Sequence, residues 1–216
     1  MAACLLCLGL WARAVPELKE RTCGLDRADS WSTDGHKWLQ VPYDSGFAIV
    51  RHDEAHRRAM DISASYLPAA PEDGRKPTHF GPELSRRARG FAVWAILKSL
   101  GRKGVAKLIR GLCAAASVLQ EYLSGVEGIT IENEVVLNHL ILTFDDGRRD
   151  PDYLASKMEA GLNFDGAHFF RTSRWKGRNM LRISIIEDGT GVDEIKALAR
   201  KIERVWVELN STHLAV

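Results

Sequence analysis

Lys37 stands between His36 and Trp38 in the stretch Asp34-Gly35-His36-Lys37-Trp38, shortly ahead of the apolar run "GFAIVR" at 46–51. An amine set beside an imidazole and an indole, and taken partly out of water, loses stabilisation of its charged form and becomes a nucleophile for carbonyl groups. Such a lysine can hold an aldehyde as a Schiff base. His36, on the same turn, could then donate to an anionic group or stack on a ring, while "VPYDSGFAIV" supplies the strand that holds the turn. Spacing alone does not separate this chemistry from a solvated turn ahead of a strand, which is the commoner fate of a His-Lys pair.

Other reactive residues carry less. Cys4-x-x-Cys7 has no second pair at ligand spacing, so no metal site follows from it, and core cysteines are the expectation. "HDEAH" puts His52 and His56 on one face of a helix, but its glutamate is misplaced for either order of the zinc-protease motif, and the stretch reads as a solvated helix start. "DGTGVD" at 188–193 contains G-x-G without the third glycine of a nucleotide site, and reads as a helix cap. "RRARG" and "RWKG" read as solvated or interface segments.

The elements that must position these residues follow from pattern. The run 46–51 fits a strand buried on both faces, of the kind found in sheets covered by helices. From Tyr66 to Phe80 the chain is rich in proline and charge and reads as a loop, long enough to be functional. Pro82 and Glu83 predict a helix start, with Leu84, Phe91, Trp94, Ile96 and Leu97 on one buried side. "GRKG" at 101–104 interrupts it. A second helical repeat follows through Val105, Leu108, Ile109, Leu112, Ala116, Leu119 and Leu123 to about Gly125. Thereafter strands at 135–144 and 180–186 alternate with a helix capped by Asp150-Pro151 and another capped by Thr190, which predicts a small α+β domain.

The bulk numbers set limits. A chain of 216 residues with 45% apolar and 27% charged residues can bury a core without staples. A formal charge of +2 speaks against nucleic acid or an anionic membrane as partner. Four cysteines do not make a secreted disulfide framework, so a reducing, cytoplasmic compartment is expected. The opening "MAACLLCLGLWARAV" lacks a basic start and a cleavage site, is too short to span a bilayer, and reads as a buried segment.

"DSWSTDGHKWLQVPYDSG" resembles the cofactor-lysine segment of the pyridoxal-phosphate-dependent amino-acid decarboxylases of the aromatic-L-amino-acid, glutamate and histidine group. "HFGPELSRRARGFAVWAILKSLGRKGVAKLIRG" resembles the proline, paired-arginine and tryptophan helices that follow in that family, and the likeness runs from about Gly9 to the end. It implies pyridoxal 5'-phosphate as cofactor, with Lys37 as the Schiff-base lysine and His36 at the cofactor phosphate. Asp34, at a position often occupied by asparagine, would make a polar contact. Ser30 would help at the phosphate end, or serve only as a strand-edge hydroxyl. Arg182 resembles an arginine near the active-site mouth and is a candidate for substrate contact, with domain packing as the plainer role.

The resemblance also implies a fold: the C-terminal part of a fold type I large α/β domain over residues 1–124, then a small α+β domain over 125–216. In that family the lysine lies past the middle of the chain, after an aspartate that partners the pyridine nitrogen and a loop that cradles the phosphate. "GLWARAVPELKERT" matches the end of the aspartate segment, and Leu5 stands at the aspartate's place. Two functions are therefore expected to compete. One is an amino-acid carboxy-lyase, shortened and weakly active or inactive alone, acting as a homodimer or with a full-length homologous subunit. The other is a non-catalytic remnant that binds or dimerises.

Overall fold

A computed structural model describes residues 9–60, 76–187 and 189–211. Cys4, Leu5, Cys7 and Tyr66 lie outside them, as does most of the expected long loop. The backbone gathers into two compact units, Met1–Ala106 and Lys107–Val216. The boundary expected at 124/125 marks the passage from helix to strand, whereas the units part earlier, inside a helix.

In the first unit, 3-10 turns at Pro16–Thr22 and Leu25–Arg27 lead into β1 (Ser30–Asp34), which pairs antiparallel with β2 (Gly46–Val50) in a register running from Ser30↔Val50 to Asp34↔Gly46. β2 is not buried on both faces as expected. It pairs only with β1 among the described residues, and Ala48 and Ile49 are exposed. Burial falls instead on the connection between the strands, where Trp38, Leu39, Val41 and Ser45 are buried, and on Ala12 and Val15. A short helix α1 (Asp53–Met60) follows, with no buried residue.

Helix α2 (Arg89–Leu123) starts seven residues beyond Pro82. It breaks at Gly101, where φ 58° and ψ −176° suit glycine's freedom and confirm the interruption expected at "GRKG". The apolar side expected at 84–97 is largely exposed: Leu84, Phe91, Trp94 and Leu97 all face solvent among the described residues, and Val93 is buried instead. The repeat from Val105 to Leu123 is buried at all seven expected positions. Cys23 is exposed and Cys113 half-buried, so neither is a true core cysteine.

The second unit holds an antiparallel sheet of order β3-β4-β6-β5, built from β3 (Ile129–Ile131), β4 (His139–Phe144), β5 (Arg171–Trp175) and β6 (Arg178–Ser184). Helix α3 (Pro151–Asn163) lies against the sheet and beside α4 (Val192–Ser211). Alternation places Leu140, Leu142, Leu181 and Ile183 in the core, where Leu154, Met158, Leu162, Ile195, Ala199 and Ile202 from the helices are also buried. Asp150 caps α3 as its spacing predicts, accepting from the Tyr153 N–H at 2.9 Å. The expected cap Thr190 instead donates to the Glu187 carbonyl, and α4 opens at Val192. The sheet and its two helices have the α+β make-up expected at the chain's end, in a unit that begins at Lys107 rather than at 125.

Candidate functional site

The connection from Asp34 to Gly46 is a tight turn pinned at its base. The Ser45 carbonyl accepts from the Gly35 N–H at 2.9 Å and from the His36 N–H at 3.3 Å. Gly35 permits this closeness: a Cβ there would stand 2.9 Å from the Phe47 ring and 3.1 Å from both Ser45 Oγ and Val41 Cγ2. Trp11 adds a donor from outside, its indole N–H meeting the Asp34 carbonyl at 3.1 Å. At the tip, Gln40 takes a left-handed φ of 56°, and both its backbone N–H and its side-chain amide donate to the Lys37 carbonyl.

Lys37 is not the buried amine that its neighbours suggest. Its side chain keeps 34% of its accessibility, and its Nζ lies 2.8 Å from Asp34 Oδ2. Burial passes to the next residue, Trp38, whose indole is inaccessible and whose Nε1 has no hydrogen-bond partner among the described residues. An amine held as an ammonium by a carboxylate becomes a nucleophile only after the pair opens and a proton leaves. Its exposure leaves Lys37 within reach of a carbonyl compound, and Asp34 holds it in one direction.

His36 is fixed by its neighbour across the turn. Nδ1 lies 2.7 Å from the Ser45 carbonyl and 3.1 Å from the Ser45 N–H, so the tautomer decides which contact is the bond. The Tyr43 ring lies over the imidazole, centroids 4.3 Å apart and planes at 31°. Where Nδ1 accepts from Ser45, the proton resides on Nε2, which can then donate to an anion.

Asp44 and Tyr43 are tied to a distant part of the chain. Arg89 donates Nε and Nη2 to the two Asp44 carboxylate oxygens at 2.9 Å each, and Nη1 to Glu83 at 3.3 Å. Arg87 donates to the Tyr43 carbonyl at 2.6 Å. The Arg89 hydrogen bond is the main cause that brings the Asp44 carboxyl down to about 2, and Asp44 in turn pushes the guanidinium up. These bonds occupy the segment where a helix was expected from Pro82.

The structure thus brings together Asp34, His36 and Lys37. Ser30 is not among them: it lies at the opposite end of β1, paired with Val50. Arg182 belongs to the second unit, on β6 directly opposite Arg171 of β5 and Ile141 of β4, where it lines a groove of about 580 Å³ with His168, Phe169, Ser184 and Glu187. His52 precedes α1 and meets Asp29 at 3.4 Å, while the His56 ring meets the edge of Phe80. No group of three metal-ligating side chains occurs among the described residues. Sequence reasoning missed Tyr43, Asp44, Ser45, Arg87 and Arg89. The arginine run was visible, but nothing in its spacing says that it reaches back some 45 residues.

A family model described as the pyridoxal-dependent decarboxylase conserved domain matches residues 12–143. An aromatic-L-amino-acid decarboxylase of Bacillus atrophaeus is 25% identical over 205 residues, covering 89% of this chain and 42% of the relative. A histidine decarboxylase of Drosophila melanogaster is 28% identical over 181 residues, covering 83% and 21%. The crystal structure of Oryza sativa TDC with PLP and tryptamine superposes with a TM-score of 0.84 at 19% identity, over 92% of this chain and 43% of that one. Catharanthus roseus tryptophan decarboxylase in complex with L-tryptophan gives 0.80 at 22% identity, with the same coverage. The fold is shared with these enzymes, and the chain spans less than half the length of each relative named here.

Proposed function

This chain belongs to the pyridoxal-dependent decarboxylase family, and we propose that it supplies the cofactor-lysine part of an amino-acid carboxy-lyase, with Lys37 as the amine that holds pyridoxal 5'-phosphate. The observation that carries this reading is the pinned turn, which presents an accessible amine paired with Asp34 next to an imidazole whose Nδ1 is already engaged. The residues fit the group: Lys37 is open to an aldehyde, and His36 Nε2 can face a phosphate. When bound, the cofactor acts as a sink for the electrons left behind when carbon dioxide departs.

Each side chain then has a role. Asp34 orients the Lys37 amine until the pair opens. In the tautomer in which the Ser45 N–H donates to Nδ1, His36 donates to the phosphate from Nε2, and Ser45 fixes the imidazole plane. A substrate contact at Arg182 rests on the resemblance alone, and Ser30 is left with a strand-edge hydroxyl.

Turnover by the chain on its own is proposed to be weak or absent, with activity arising in a homodimer or with a homologous full-length subunit. The exposed apolar residues Leu84, Phe91, Trp94 and Leu97, with the Phe91 and Trp94 rings 6.0 Å apart, support such a pairing, since exposed apolar surface marks interaction sites. The same surface supports the second reading, a non-catalytic protein that binds or dimerises. Among the described residues no helix is long and apolar enough to cross a membrane, and the free thiols of Cys23 and Cys113 suit the reducing cytoplasm in which we place the protein.

The deciding experiment is titration with pyridoxal 5'-phosphate, followed by borohydride fixation and peptide mass spectrometry. A saturable visible band with the label on Lys37 supports the lyase. Label spread over surface lysines leaves the non-catalytic reading, and a stable monomer in sedimentation would count against the pairing.

A further inference from the structure

We propose that Arg89 and Arg87 are positioning residues, clamping the outer limb of the Lys37 turn through Asp44 and the Tyr43 carbonyl and so fixing how His36 and Lys37 are presented. The inference builds on the assignment of Lys37 as cofactor lysine.

The limb needs such a clamp. Tyr43 and Asp44 are exposed, so burial does not hold them, in contrast to Trp38, Leu39 and Val41 on the other limb. Yet the two exposed residues sit at the point that controls the imidazole. Tyr43 lays its ring on His36, and the residue after Asp44, Ser45, contacts His36 Nδ1 through both its backbone N–H and its carbonyl. A displacement at Asp44 therefore moves the two groups that hold His36, and with it the backbone that carries Lys37.

Exposed ion pairs commonly contribute little to stability. This one differs in geometry. Arg89 meets both carboxylate oxygens at equal distance through its fork, and Glu83 holds a third guanidinium nitrogen, so the direction of the bond is set as well as its existence. Arg87 fastens the preceding peptide. Together they tie the segment entering α2 to the turn across more than forty residues of chain.

The test uses the whole chain and two readouts. Hydrogen–deuterium exchange, without cofactor, follows the Gly35 and His36 amides that donate to Ser45. Borohydride-fixed pyridoxal 5'-phosphate, located by mass spectrometry, follows the share of label on Lys37 against other lysines. Asp44→Ala and Arg89→Ala should each raise exchange of the turn about tenfold and lower the Lys37 share, with the double variant no worse than either single one, as for residues in one network. Arg89→Lys should resemble Arg89→Ala, because a point charge cannot reproduce the fork.

Amides of β4 and β6 should keep wild-type protection, which shows that the variants fold. Asp44→Asn, which keeps the side chain's shape, gives the same comparison if Arg89→Ala folds poorly. Wild-type protection of the turn in Asp44→Asn and Arg89→Lys, or additive effects in the double variant, would overturn the clamp. A wild-type chain that takes no label on Lys37 sinks the lysine assignment, and the exchange arm still decides the clamp.

Discussion

Trp38 offers a test in which two substitutions at one site should part company. Its side chain is inaccessible, and its indole N–H is buried with no partner among the described residues. Trp38→Ala removes the whole ring and leaves a cavity beside the Lys37 turn, and large aromatic truncations of this kind cost about 3–5 kcal/mol. Trp38→Phe loses the outer part of the indole, roughly 1–2 kcal/mol of apolar burial. It also removes an unsatisfied buried donor, which offsets about 1–3 kcal/mol. The two terms oppose each other, so the phenylalanine variant should lie between about 1 kcal/mol less stable and about 2 kcal/mol more stable than the wild type. Native-state hydrogen exchange of the β1–β2 ladder gives these energies locally, which matters in a chain of two units that need not unfold together. A cost beyond about 2 kcal/mol for Trp38→Phe would refute the reasoning, because it would mean that the N–H has a strong partner in solution.

Two further outcomes follow from the same geometry. Gly35→Ala should destabilise the turn by about 1–3 kcal/mol, because its Cβ would press on the Phe47 ring, Ser45 and Val41 within 3.1 Å; exchange of 35–45 checks this, and wild-type protection would refute the close packing. Acid should loosen the second unit through Asp146, whose carboxyl is held at about 2, first by the Arg149 backbone N–H and then by the Arg149 side chain. A carboxyl depressed in the folded state contributes stability that is present above its unfolded value of 3.8 and lost as pH falls through about 2. Arg149 also donates to the Leu209 carbonyl and to Asn210 at the end of α4, so the loss should loosen that helix. Thermal melts between about pH 5 and pH 2 should fall more steeply for the wild type than for Asp146→Asn, and parallel curves would refute the assignment.

What could be read from the sequence was whatever lies close along the chain. Asp34, His36 and Lys37 lie within one turn, so their neighbourhood is also their sequence. The repeat from Val105 to Leu123 is local in the same sense, since helical periodicity alone decides which side is buried. The failures share the opposite character. Leu84, Phe91, Trp94 and Leu97 have the residue types of a core and remain exposed, because a pattern shows which side is apolar and not whether something covers it. β2 was judged by composition, while burial depends on how many neighbours a strand has. The helix expected at Pro82 begins only at Arg89, and the arginines at its start reach back by their side chains to Tyr43 and Asp44, contacts that no local pattern encodes.

The same contrast explains why a lysine motif is a poor measure of a working site. The residues that would touch a cofactor can persist in a short stretch while the parts that aim them lie elsewhere. Here the imidazole plane depends on Ser45 and Tyr43, and their limb depends on arginines in the approach to α2. Loss of Arg89 would leave "DGHKW" untouched and still free the limb that holds His36. Labelling of Lys37 by pyridoxal 5'-phosphate should therefore follow the integrity of that remote tie. A variant series ordered by protection of the 35–45 amides should fall in the same order when ranked by label on Lys37. A series in which the two rankings diverge would separate the lysine's reactivity from the geometry of its turn.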